Sequence, residues 1–387
     1  MRDVLLVGPT ARDFAAVEAA RLDERYRVHA LGRDLDELER VEPEALLAEA
    51  EQLPADGVVG TKDRSALLAS LIAHRRGLPG PAPEAVLRCQ HKARSRSVQC
   101  EVVPEAVPRF ALLGTDPALP MPFVAKPVVG RLSHGTAIVE RSGDVPRRGM
   151  DAYARSFESL AKLAGVRDLS FDGYLAEELV EGQEVTLEGF VHGGRVTTVG
   201  ITDSVFYPGT GSFERFEYPS HLPPERWAEL AHVAERLMPA YEFDGGFFNI
   251  EFRVPEQGAA KIIEVNARIA SQFAPLVERV HGRSTYDALF ALASGDDPAW
   301  DPPPATGVAV SYVVRVFEDA LVEAVPEPEP GLEVLVRPGS RLLEQGVNDA
   351  RSYRLAIFVE SAPTREEALE RCRRRAASLR FGLSAGP

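Results

Sequence analysis

With 387 residues, 45% of them hydrophobic, the chain is long enough for two to four lobes, each with its own apolar core. Its 44 basic and 58 acidic side chains leave a formal net charge of −14, which argues against broad binding to nucleic acid or an anionic membrane and suits a soluble cytoplasmic protein. Cys89, Cys100 and Cys372 are too few and too irregularly spaced for a disulfide framework or a zinc site, so a reducing compartment fits best.

The apolar run at 4–7 is too short for a membrane span or a signal peptide and reads as a first strand. A helical stretch to about 22, a strand at 26–31, a strand at 57–61 and a helix from about 63 complete a βαβ lobe. The turn after the first strand has one glycine and no G-x-G-x-x-G pattern, so no dinucleotide site is expected there. Proline and glycine at 77–83 close this lobe near residue 85, and one helix is expected over 84–99, with Lys92 on it.

Residues 123–129 read as a strand, 130–135 as a glycine-bounded loop, and 136–140 as the return strand. Small residues such as Ser133 and Gly135 let backbone N–H groups approach phosphate oxygens, and Lys126 can reach toward the same anion. The order of a P-loop is absent. Next, 174–178 reads as a strand that runs into an exposed connector. There Glu177, Glu178, Leu179 and Val180 can offer backbone groups to an adenine edge, and Glu184 can accept from ribose hydroxyls. The aromatic and charged segment 202–219 is expected either to wall a substrate site or to be a surface loop.

Residues 249–254 and 260–268 read as two strands joined by Pro255, Glu256, Gln257 and Gly258. A turn centred near 257–258 sets Glu251 opposite Glu264, and period-two alternation brings Asn266 and Arg268 onto the same face. Two carboxylates opposed across a ladder repel unless a cation sits between them. Magnesium or manganese is the natural candidate, because such hard ions take oxygen ligands and share them with water and substrate phosphate.

Taken in order, Lys92, Lys126 before a glycine-rich loop, Glu177-Glu178-Leu179-Val180 with Glu184, then Glu251, Glu264 and Asn266, resemble an ATP-grasp enzyme over roughly residues 1–300. The separations match as well as the identities: seven residues from Glu177 to Glu184, thirteen from Glu251 to Glu264, and two more to Asn266. The Glu-Asn-Ala-Arg strand and the apparent C-terminal lobe are most similar to those of L-amino-acid ligases and other carboxylate–amine ligases.

The resemblance implies a mixed α/β and α+β architecture. An N-terminal βαβ lobe (1–85) and a helical linker (86–108) precede the two-lobed ATP-grasp domain (109–300), and a small α+β lobe (301–387) follows. It implies ATP and magnesium or manganese as cofactors, with Lys92 and Lys126 on the phosphates and residues 130–135 folding over them. Glu178 to Val180 would hold adenine, with Glu177 beside them and Ile263 covering the ring, and Glu184 would bind ribose. Glu251, Glu264 and Asn266 would ligate metal, and Arg268 would steady the transferred phosphate.

Phe248 and Asn249 stand where many amino-acid ligases carry His or Arg beside the first metal carboxylate, so a different acceptor pocket is expected, and Arg131 and His134, bulkier than usual for the phosphate loop, are candidates for reading substrate rather than ATP. After a proline-rich linker near 297–304, short strands at 307–317, 332–337 and 353–360 precede a helix over 364–379. Arg337 and Arg341 are its candidates for a carboxylate pocket. The expected partners are a small carboxylic acid and an amine, with no nucleic acid or membrane, and a homodimer is compatible. An ADP-forming carboxylate–amine ligase leads. A biotin-carboxylase-like enzyme and a non-catalytic nucleotide-binding module are the alternatives.

Overall fold

The first strand, β1 (Arg2–Val7), carries Val4, Leu5, Leu6 and Val7 wholly buried. A continuous apolar run suits a strand covered on both faces. In the computed structural model, which describes residues 1–37, 41–114, 119–131, 134–141, 144, 151–346, 348–349 and 352–385, this strand is the centre of a parallel sheet. Helix α1 (Ala11–Ala19) leads to β2 (Tyr26–Leu31) on one side of β1, and α2 (Pro43–Gln52) leads to β3 (Gly57–Gly60) on the other. Thr10 and Asp13 cap α1 reciprocally, and α3 (Asp63–Arg76) ends on Gly77 in the left-handed region at φ 64. This is the βαβ lobe expected from the sequence.

The single helix expected over 84–99 is instead two, α4 (Pro83–Gln90) and α5 (Lys92–Val102), divided at His91. His91 has an extended backbone (φ −83, ψ 99), and its ring takes over one bond that a continuous helix would make. Nδ1 accepts from Arg94 N, and Nε2 donates to Ser170 O at 2.9 Å. The break puts Lys92 at the first position of α5, where its own N–H donates to Val128 O at 2.8 Å.

β4 (Phe110–Leu112), β5 (Phe123–Pro127), β6 (Ala137–Val139) and, after α6 (Ala152–Leu163), β7 (Tyr174–Glu178) make an antiparallel sheet in the order β4-β7-β5-β6. Phe123, Ala125, Val139 and Ala176 fill its core. The chain continues through β8 (Gln183–His192), β9 (Arg195–Phe206), β10 (Phe213–Tyr218), α7 (Pro224–Ala240), β11 (Gly246–Val254) and β12 (Lys261–Asn266) to α8 (Ala274–His281) and α9 (Thr285–Ala293). Strands β12, β11, β8 and β9 are successive neighbours in one sheet.

The chain divides into two compact units. The first comprises Met1–Gly200, Leu222–Ala274 and Ser284–Asp301, and the second Ile201–His221, Pro275–Arg283 and Pro302–Pro387. In the second, β13 (Val308–Val316) pairs with β10 on one edge. After β14 (Leu321–Ala324), β15 (Leu332–Val334) and β16 (Asn348–Asp349), β17 (Ser352–Ala362) pairs with β13 on the other edge. Helix α10 (Arg365–Ser378) lays Ala368 and Cys372 against Val310 and Phe358. β18 (Gly382–Ser384) pairs with β14, a ladder too short to show in the sequence pattern.

Segment 202–219 is a β9–β10 hairpin whose charges are engaged within the second unit. Asp203, fully buried, accepts from the backbone and ring of His221 at 3.0 and 2.6 Å, and Glu217 takes Arg215 at 2.6 Å and also Arg365. Arg341 pairs with Asp319 at 2.6 Å, and Arg337 donates its backbone N–H to Gln345.

Candidate active site

Strands β11 and β12 pair in the register that the turn implied: Glu251 faces Glu264, and Asn249 faces Asn266. Immediately beyond Glu264 the register slips, so that Phe252 faces Ile262 and Ile263 has no partner in the ladder. Such a bulge turns backbone groups out of the ladder. Two buried cations take them. Lys126 Nζ donates to Ile263 O at 2.7 Å, and Arg96 donates to the carbonyls of Ile262 and Ile263, each at 2.8 Å. On the other side of β11, Glu184, Thr186 and Glu188 of β8 stand in register with Arg253, Glu251 and Asn249.

Lys92 Nζ stands 3.0 Å from Glu264 Oε2. Desolvation alone would raise the Glu264 carboxyl, but Lys92, with Lys126 behind it, pulls it down to about 2. Glu251 goes the other way. Burial and then the charges of Glu264 and Glu184 push it well above the carboxylate range. Asn266 Nδ2 donates to Asn249 Oδ1 at 3.0 Å and reaches toward Glu251 and Glu264 at 3.4 and 3.5 Å.

Among the described residues no group of three or more His, Cys, Asp or Glu is arranged to hold a metal ion. The donor set of two carboxylates and one amide nevertheless suits magnesium, which is usually held by one or two carboxylates and completes its shell with water and phosphate. The repulsion that lifts Glu251 is what such an ion would relieve. Asn266 would have to turn its amide over to present Oδ1.

The second lysine is drawn inward. Lys126 Nζ lies 2.7 Å from Glu177 Oε2, and Arg96 holds the same carboxylate with two bonds, at 2.8 and 3.0 Å. Burial pulls Lys126 down to about 8, with Glu177 resisting and Arg96 adding to the fall. Burial works to raise Glu177, but its two cations hold it below the ordinary range. Glu177 therefore fixes Lys126 by its side chain.

On the connector, Glu178 binds Arg109 at 2.7 Å, Leu179 is exposed and Val180 half-buried. Glu184 pairs with Arg253 at 2.8 Å and is raised by burial. Gly135 has φ 76, a conformation that needs glycine, while Ser133 lies outside the described residues. Arg131 stands 3.3 Å from Asp36 and over the Tyr153 ring, and His134 is exposed.

Sequence reasoning missed Asp63. Arg268 Nε donates to Asp63 Oδ1 at 2.5 Å, the Tyr153 hydroxyl donates to Oδ2 at 3.3 Å, and Gln90 Nε2 donates to the Asp63 carbonyl at 3.1 Å. Asp63, Gln90, Lys92, Gly130, Glu264 and Asn266 line one narrow recess. A signal for Asp63 was present: it begins the helix that follows the last parallel strand, and open α/β sheets bind ligands beyond the carboxyl ends of their strands. Arg96 was also missed, although it lies four residues after Lys92 on one helix and so on the same face.

A recess lined by Lys92, Glu264 and Asn266, with Glu251 opposite Glu264 on the neighbouring strand, is chemically suited to a polyphosphate and its metal. Residues 119–275 match the family model of the ATP-grasp domain. Over this stretch the chain is similar to ATP-grasp enzymes. It is 26% identical over 335 residues to an uncharacterized protein, y4rH, from Sinorhizobium fredii, covering 81% of this chain and 65% of that protein. It is 26% identical over 292 residues to carnosine synthase 1 from Gallus gallus, covering 70% of this chain and 30% of that protein. The chain thus spans 65% and 30% of the lengths of these two relatives. The fold of an L-amino acid ligase from Bacillus licheniformis superposes with a TM-score of 0.75 at 18% identity, covering 99% of each chain.

Proposed function

We propose that this protein is an ADP-forming ligase that activates a small carboxylic acid as an acyl phosphate and joins it to an amine. The observation that carries the reading is the opposed pair Glu251 and Glu264, with Lys92 on one carboxylate and Arg268, on the segment that follows β12, held by Asp63. The names of two similar proteins, carnosine synthase and L-amino acid ligase, support an amino acid as one substrate.

In this reading Glu251, Glu264 and Asn266 hold magnesium, which when bound neutralises and aligns the phosphates. Lys92 and Lys126 take phosphate oxygens, residues 178–180 take adenine with Ile263 over it, and Glu184 takes ribose. Arg268 faces the phosphoryl group in transfer. A carboxylate is a poor electrophile, so one of its oxygens first attacks the γ-phosphorus. The bond to the bridging oxygen breaks, and ADP leaves. The amine nitrogen then attacks the acyl carbon, phosphate departs with the carbonyl-bound oxygen, and the nitrogen loses a proton. Catalysis of the first step is mostly positioning and electrostatic stabilisation, which fixed cations supply.

The test is a screen of amino acids and amines, singly and in pairs, for ADP and phosphate release. ADP formation that requires both an acid and an amine supports the reading. Nucleotide binding with no release under any pair would favour the non-catalytic alternative.

A further inference from the structure

Arg268 lies just beyond β12, in a segment with no ladder of its own. Two side chains hold that segment. Asn249 Nδ2 donates to Arg268 O at 3.0 Å, and the Ala270 N–H donates to Glu188 Oε1. Asn249 and Glu188 are register partners on β11 and β8, so two adjacent strands grip the backbone from one place, one by a donor and one by an acceptor. The far end of the arginine is gripped by Asp63.

Glu188 is only 3% exposed, and its Oε2 is buried with no hydrogen-bond partner among the described residues. A buried carboxylate normally satisfies both oxygens, so an orphan here is unusual. We propose that Glu188 is a positioning residue for Arg268: its bond to the Ala270 N–H sets where the guanidinium stands.

The surroundings say in which protonation state it does so. The charged or titratable groups that face it are Arg268 and Tyr286 of α9. The Tyr286 hydroxyl donates to Asp13 of α1 at 2.6 Å, with Arg12 nearby. Burial pushes the Glu188 carboxyl up to about 8, against the Ala270 N–H and Arg268, which act to lower it. As a neutral acid Glu188 accepts from Ala270 without competing for the guanidinium. As an anion it would draw Arg268 from Asp63 and from an incoming phosphate.

The kinetic arm of the test rests on the ligase reading, and a second arm does not. Glu188→Leu removes the acceptor at similar volume. It should lower kcat by about 10- to 100-fold with the KM for ATP unchanged, because a misplaced catalytic group costs turnover rather than binding. Glu188→Gln, which keeps the acceptor, should restore kcat at pH 7 and abolish the decline in rate expected of the wild type as pH rises through about 8.

In the substrate-free protein the Nε–H resonance of Arg268 should move with pH through about 8 in the wild type and stay flat in Glu188→Gln. If no acid and amine support turnover, the ligase reading fails and the resonance still decides the role of Glu188. A Leu variant with wild-type kcat, or an Arg268 resonance that titrates alike in wild type and Gln variant, overturns the proposal. Should the Leu variant fail to fold, the comparison of wild type with Gln stands alone.

Discussion

Arg268 is tied to Asp63 by a 2.5 Å charged hydrogen bond, so the arginine read at the end of the hairpin's second strand is oriented by a residue 205 positions earlier in the chain. Asp63→Asn keeps the shape and weakens the bond, and a hydrogen bond to a charged group contributes about 1.5 to 3 kcal/mol. The expected outcome in steady-state kinetics is a kcat loss of about 10- to 100-fold, with ATP affinity by calorimetry unchanged, since Asp63 holds the arginine and not the nucleotide. A drop in ATP affinity with kcat preserved would contradict that division of labour.

Glu177 sits between Arg96 and Lys126 with all three side chains buried. Glu177→Leu leaves two cations without their anion, and breaking a buried pair costs about 3 to 5 kcal/mol. Urea unfolding should show that loss. Glu177→Gln should lose less and should raise the KM for ATP, because Lys126 is no longer fixed.

Stability should also respond to pH through Glu188. Its carboxyl is raised by burial to about 8 in the folded protein, above the ordinary carboxylate value that holds when the chain is unfolded. Between those values the folded state binds the extra proton. The contribution is therefore fully present below the unfolded pKa and is lost as pH rises through about 8. Glu188→Gln cannot titrate, so its Tm relative to wild type should climb as pH rises from 5 to 8. A constant difference across that range would show that Glu188 does not hold the proton.

Glu264→Gln and Glu251→Gln each remove one carboxylate that could ligate the metal from the opposed pair while keeping size. Either should reduce kcat by at least about 100-fold, by analogy with the loss of other preorganised electrostatic groups. The double variant should be little worse than either single one, since residues that act as a unit are not additive. Additive losses in the double variant would mean that the two carboxylates act separately.

The hairpin was legible because a turn between two strands fixes which residues face each other, and Glu251 opposite Glu264 follows from counting outward from between Gln257 and Gly258. The bulge at Ile263 was not. A bulge depends on what the freed carbonyls find, here Lys126 and Arg96 from distant elements, and no local pattern encodes that. The helix break at His91 was hidden for the same reason, since the imidazole is held by Ser170. Asp63 and Glu188 read as ordinary charged residues at a helix start and in a strand. Only the folded chain brings both to Arg268.

The most direct test of acyl phosphate formation follows one oxygen atom. With the acid substrate labelled with ¹⁸O in its carboxylate, mass spectrometry of the released phosphate should find one labelled oxygen for each amide formed, and this should require both the amine and a divalent cation. Phosphate released without label, or label recovered in AMP, would contradict the account.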